Sequence, residues 1–90
     1  MKKTIITVVG QDTIGIIARV CVYLSEHSVN ILDISQTIIS GYFNMMMIAD
    51  TQKATVSAQQ MAEDLKAIGE EMGLIIRSQN EEIFKMMHRV

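Results

Sequence analysis

The sequence predicts an α+β sandwich of four strands and two helices in the order β-α-β-β-α-β, with a short extra helix at its C-terminal end. Three observations carry that prediction. β-Branched or alternating apolar runs occur at 3–9, 29–39, 42–50 and 74–79. After the first and third of these runs, apolar residues recur at helical spacing instead. Two turn signals, "SG" at 40–41 and Gly73, fall where a hairpin and a helix stop are needed.

The elements follow in order. "KTIITVV", 3–9, is β-branched nearly throughout and ends at Gly10, which fits a central strand buried on both faces. A helix is expected from about Thr13 to Glu26, with Ile14, Ile17, Cys21 and Leu24 as its core stripe. "VNILDISQTII", 29–39, resumes a strand, and "YFNMMMIAD", 42–50, returns beside it as a hairpin. "TQKAT" is a loop, and Ser57 with Gln60 three residues later reads as a capping box. Met61, Leu65, Ile68 and Met72 form the stripe of the second helix, Gly73 stops it, and "LIIRSQ", 74–79, is the last strand. This is the split βαβ arrangement of ferredoxin-like sandwiches.

Residues 80–90, "NEEIFKMMHRV", are not needed by that plan and form a C-terminal extension to the 1–79 domain. They read as a short helix with Ile83, Met86, Met87 and Val90 on one side and Phe84 adjoining. A helix this short is marginal in water unless docked. In a split βαβ fold both helices cover one face of the sheet. The other face here is apolar, because the run Met45, Met46, Met47, Ile48 offers side chains to both sides. The extension is expected to cover part of that face, on its own chain or a partner's.

Composition narrows the function classes. Ninety residues form one domain that hides only about 60–65% of its unfolded surface, so association with a second copy would help it. A hydrophobic fraction of 49% is high for that size, and a net charge of −2 gives no electrostatic reason to bind nucleic acid or an anionic membrane. The lone Cys21 forms no internal disulfide, and "MKKTIITVVG" is too short and polar for a signal peptide. No apolar run approaches a membrane span. The expectation is a cytoplasmic protein without a cofactor.

The stretch "VVGQDTIGIIARV", 8–20, carries the candidate site. A strand, Gly10, Asp12, Gly15 and a helix place unpartnered first-turn N–H groups and the positive end of the helix dipole together, a setting that attracts a carboxylate or phosphate. Gly10 is expected to let the chain leave the strand, and Gly15 to let a ligand or strand approach the backbone. Asp12 either caps the helix or turns its carboxylate to an ammonium group, so the pair suits a zwitterion such as a free amino acid. The plainer alternative stays open: an acid before a helix is commonly an N-cap, and glycines in a βα turn are commonly turn glycines. The stretch is neither a dinucleotide fingerprint nor a phosphate-binding P-loop.

Beyond these local features, "GQDTIGIIARV" followed by "LSEHSVNILDISQ" resembles the ACT domain, a small ligand-binding module of amino-acid metabolism. The likeness covers residues 2 to about 79. It is nearest to free-standing bacterial ACT proteins of the UPF0237 type, and extends to the ACT segments of the glycine-cleavage repressor and formyltetrahydrofolate deformylase. The family's Asp-x-x-Gly pair fits Asp12 and Gly15, and its Asn-Ile at the start of the second strand fits Asn30 and Ile31. The resemblance implies a homodimer paired side by side through its sheets, with a small amino acid or related metabolite at the seam. Gly10, Gln11, Asp12, Thr13, Ile14, Gly15 and Ile16 would form one wall of that site, and Val29, Asn30 and Ile31 of the partner the other. Thr13 stands where many relatives carry a basic residue.

Dimerisation also follows from the residues alone, since the first helix is apolar nearly all round from Ile14 to Leu24, broken by Arg19. The second strand, long and at an edge, would otherwise offer unpaired backbone to other chains. The remaining chemistry-bearing residues read as structural. Cys21 sits among apolar neighbours, His27 ends a helix, His88 stands near the terminus, and neither histidine has a companion at metal-ligand spacing. Met45–Met47 read as sheet filler, and Asp33 as a solvated guard on the edge strand. No nucleophile–base pair argues for an enzyme. The favoured function is a regulatory binding module that signals to a separate, unidentified protein. The alternative is a structural or protein-interaction module without a small-molecule ligand. RNA binding ranks last, because only Tyr42 and Phe43 offer stacking and the charge has the wrong sign.

Overall fold

The computed structural model describes residues 2–11 and 13–87 of the chain. Its elements are β1 (Lys3–Gln11), α1 (Ile16–Glu26), β2 (Asn30–Ile39), β3 (Tyr42–Asp50), α2 (Ala58–Met72), β4 (Leu74–Asn80) and α3 (Glu81–Met87). The strands pair antiparallel in the order β2-β3-β1-β4, which is the expected α+β ferredoxin-like βαββαβ sandwich with its extra C-terminal helix. β1 and β3 are central; β2 and β4 are edges.

Strand alternation sorts the sheet into two faces. On the inner face Val8 lies between Met45 and Ile76, and Ile6 opposite Met47. These side chains meet Ile16, Val20 and Leu24 of α1 and Met61, Leu65 and Ile68 of α2 in one core. Each fully buried aliphatic or thioether side chain contributes roughly 1.5–3 kcal/mol. β3 alternates between core and outer face, with Met45, Met47 and Ala49 buried and Met46 exposed.

The two helices are read from sequence with unequal success. α2 begins at its expected cap, where the Ser57 hydroxyl accepts from the Gln60 N–H at 3.0 Å, and ends at Gly73, whose φ of 73° is left-handed. The Gln60 side chain does not complete a capping box; its amide donates to Asp64 Oδ1 at 2.8 Å. α1 starts at Ile16 rather than Thr13, and its buried face is Ile16, Val20, Tyr23 and Leu24. Of the expected stripe only Leu24 is buried, while Ile14 lies in the preceding turn, 99% exposed. A helix with apolar residues on every side does not reveal from sequence which side turns inward.

Gly10 also has a different role from the one expected. β1 continues through Gly10 to Gln11, and a Cβ at Gly10 would meet Leu74 Cδ2 at 2.6 Å and the Gly73 carbonyl at 3.3 Å. Glycine there accommodates the close passage of β4, where a side chain would displace Leu74, and does not mark an exit from the strand.

A polar strut ties α1 to α2. The Tyr23 hydroxyl donates to Asp64 Oδ2 at 2.5 Å. Burial, reinforced by that carboxylate, holds the phenol protonated well above its ordinary pKa. The same hydrogen bond, with the one from Gln60, keeps Asp64 below the usual carboxylate range. Tyr23 stacks on His27 with ring centroids 4.2 Å apart. An exposed Arg19–Glu71 pair at 2.6 Å joins the same helices but adds little stability in water.

α3 follows β4 without a loop, its first turn capped by Asn80, whose Oδ1 accepts from the Ile83 N–H at 2.8 Å. It packs against β1 and β4 of its own chain. Ile5, on the outer face between Ile48 and Gln79, is buried there. The helix thus covers one end of its own chain's outer face. The Met87 side chain, His88 and Val90 lie outside what the structure describes.

Candidate ligand-binding cleft

An open cleft of about 440 Å³ lies between the start of α1 and the far end of β2. That size suits a small metabolite. One wall is Thr13, Gly15, Ile16, Ile17 and Ala18; the other is Gln36, Thr37 and Ile38, with Phe43 buried between them. Gly15 is the N-cap with φ 88°, a left-handed conformation that other residues resist, and offers no capping side chain. The first helical bond runs from the Arg19 N–H to the Gly15 carbonyl at 2.9 Å. The N–H groups of Ile16, Ile17 and Ala18 therefore have no acceptor within the helix, and the positive end of its dipole is directed at the cleft. The Thr13 hydroxyl donates to the Gln11 carbonyl at 3.2 Å and fastens the turn. The described lining carries no charged side chain.

The structure brings Thr13, Gly15 and Ile16 into this cleft and leaves other expected residues out of it. Asp12 lies outside the described residues. Gly10 and Gln11 belong to β1 and pair with β3, Gln11 opposite Tyr42, and Ile14 extends into solvent. Val29, Asn30 and Ile31 line a separate shallow groove with Cys21, Ser25 and Ser28, at the other end of α1. Gln36, Thr37, Ile38 and Phe43 are cleft residues that the sequence reading missed. Their signal was the turn at 40–41, which fixes Ile39 opposite Tyr42 and so Ile38 opposite Phe43.

β2 is an exposed edge along almost its whole length, and Leu32 forms a bulge between Ile31 and Asp33. Asp33 Oδ1 accepts from the Ile34 N–H at 2.9 Å, satisfying one edge donor locally. Ile34 and Ile38 share the inner face with α1 yet remain substantially exposed, as do Ile17 and Val22 of the helix itself. The cleft therefore opens onto an exposed apolar strip. Among the described residues no helix is long and apolar enough to cross a membrane.

Comparison with known proteins agrees with the fold and extends it to a family. Residues 2–79 match the ACT domain family, with α3 lying beyond the match. The UPF0237 protein of Bifidobacterium longum is 62% identical over 90 residues, all of both chains. The UPF0237 protein of Methanocaldococcus jannaschii is 42% identical, also over the full length of both. Among solved structures, an ACT domain protein from Streptococcus pneumoniae superposes with a TM-score of 0.80 at 36% identity, covering 93% of this chain and 94% of that one. A formyltetrahydrofolate deformylase from Pseudomonas syringae shares the fold over 28% of its own length and 89% of this chain, with a TM-score of 0.82 at 23% identity. Matched along nearly its whole length by both a family and full-length relatives, the chain belongs to the ACT domain family, among its UPF0237 proteins.

Proposed function

We propose that this protein is a cytoplasmic regulatory module that binds a small amino acid or related metabolite at the seam of a homodimer and signals to a separate protein. The observation that carries the reading is the unfinished cleft. Its α1 wall ends in free N–H donors above Phe43, and its β2 wall is an unpaired edge flanked by exposed isoleucines. Antiparallel pairing of two β2 edges would lay the start of β2 of one protomer beside the far end of its partner's. Asn30 and its neighbours Val29 and Ile31 would then close the cleft formed by Thr13, Gly15 and Ile16. A carboxylate suits the N–H groups, and Asp12 is the candidate for an ammonium group. Ligand occupancy would favour one dimer geometry over another, which is how a site of this kind conveys a signal.

The test is a thermal-shift scan of the full chain against the twenty amino acids, related small carboxylates and folate derivatives, with Asp12→Ala alongside. A ligand at a hundred times its Kd stabilises by about 2.7 kcal/mol. For a domain of this size that is a rise of about 10 °C or more. A rise for one or two compounds, lost in Asp12→Ala, supports the sensor reading. No rise across the panel from a well-folded dimer favours a protein-interaction module without a ligand. A monomer at micromolar concentration refutes the seam.

A further inference from the structure

We propose that a second copy of the chain covers the outer face of the sheet, with the α3 helices of the two copies side by side between the sheets. α3 presents apolar groups in more than one direction. Phe84 is half-buried, whereas Ile83 and Met86 are 47% and 72% exposed. At 100° per residue, Met86 lies about 200° round the helix from Phe84, nearly opposite it. A seven-residue helix held from one side is short of the contacts such a helix needs in water. Its own sheet end, over Ile5, is already covered.

Beyond α3 no other described element covers the same face. Val9, Met46 and Ile75 are exposed there, and Thr7, Val9, Asn44 and Met46 surround a depression of about 260 Å³. Register places Thr7 beside Met46 and Arg77, and Val9 beside Asn44 and Ile75. Arg77 is the single charge in these two rows; elsewhere the face carries Asp33, opposite Ile48, and α3 carries exposed Glu82 and Lys85, so charges of both signs border the contact. One chain thus carries both a projecting apolar helix side and an apolar depression on the same face. A two-fold axis through that face would bring each copy's Ile83 and Met86 over the other's depression. The area suffices, since the molecule is a slab whose broad side measures 35 × 35 Å, against about 800 Å² per partner in a standard stable interface. The face lies on the sheet side away from α1, so it does not compete with β2 pairing; with both contacts the assembly is a tetramer.

The experiment is sedimentation velocity on the full chain at micromolar concentration, for the wild type, Met86→Glu, Ile34→Glu and the double variant. Met86 is exposed, and a far-UV melt verifies that Met86→Glu folds. The expected result is a wild-type tetramer, dimers for each single variant and a monomer for the double. Ile34 stands near the middle of β2, so Ile34→Glu sets carboxylates against each other across the seam. A wild-type dimer split by Ile34→Glu but not by Met86→Glu overturns the outer-face contact and leaves the seam. A dimer split by Met86→Glu alone overturns the seam and leaves the outer-face contact. An assembly whose size neither variant changes, or a wild-type monomer, overturns both.

Discussion

Replacing Gly69 by alanine is predicted to destabilise the protein, reversing the usual sign of this change inside a helix. At an exposed mid-helix position the substitution stabilises by about 0.8–1.0 kcal/mol. Gly69 is buried in α2 where the helix crosses β4. A Cβ there would lie 2.7 Å from the Leu74 carbonyl oxygen, 3.1 Å from Ile76 Cγ1 and 3.3 Å from the Ile76 nitrogen. The nearest atom is a carbonyl oxygen of the strand backbone, which cannot rotate away as a side chain can, so relief requires moving the helix off the sheet. Overpacking of that kind costs about 1–3 kcal/mol, and rigid neighbours put this case in the upper part of the range. Set against the helix-propensity gain, the net loss is about 1–2 kcal/mol, or a Tm lowered by about 5–15 °C. Calorimetry on Gly69→Ala beside Gly73→Ala and Gly73→Asn makes the comparison clean. Nothing lies within 4 Å of a Cβ at Gly73, whose φ is +73°, so alanine there suffers only from backbone conformation. Asparagine, which tolerates that conformation, recovers part of the loss. A Gly69→Ala protein with an unchanged or higher Tm would refute the close-approach argument.

Four further outcomes are expected. The stability that Asp64 gains from Tyr23 and Gln60 is present above the ordinary carboxylate pKa of 3.8 and is lost as pH falls through its lowered folded value. Tyr23→Phe should therefore show a shallower acid loss in urea melts taken from neutral to low pH. The Tyr23 phenol works in the other direction: its contribution is intact below 10.0, the ordinary value, and declines as pH rises beyond it. Met47, fully buried in central β3, should lose about 2–5 kcal/mol as Met47→Ala, enough to threaten folding, whereas Met47→Leu should lose less than about 1.5 kcal/mol in the same denaturant titration. Ile38→Lys, on the β2 wall of the cleft, should keep the wild-type far-UV spectrum while weakening any ligand found in the thermal-shift panel.

Much of the architecture was legible because its signals are local. Period-two runs and one two-residue turn specify the hairpin of β2 and β3 and its register, and α2 declares its inner side by having a polar outer one. α1 gives no such contrast: with isoleucine or valine at nearly every angle, only the packed fold selects Ile16, Val20 and Tyr23 over Ile14 and Ile17. Gly10 looked like a turn residue because the strand passing beside it, 64 positions later at Leu74, is a tertiary fact. The cleft divides the same way. Its α1 wall follows from Gly15 and the helix start, while its β2 wall emerges only when the register is carried four residues back from the turn to Gln36. Val29, Asn30 and Ile31 cannot join it within one chain at all, because they stand at the opposite end of α1.

The alternation along β3 has a spectroscopic consequence. Met45 and Met47 point into the core and Met46 out of it, with Met61 buried under α2 and Met86 exposed on α3. A single sample labelled at its methionine methyls would therefore report separately on the packed interior and on the outer sheet face, with no methionine among the described residues that line the cleft. In the dissociated protomer mild peroxide should discriminate the same way, converting Met86 and Met46 to sulfoxides before Met47 or Met61. Those two oxidations would make polar the surface on which the outer-face contact depends while leaving the hydrophobic interior intact. Assembly size and fold stability should thus respond to oxidant at different doses.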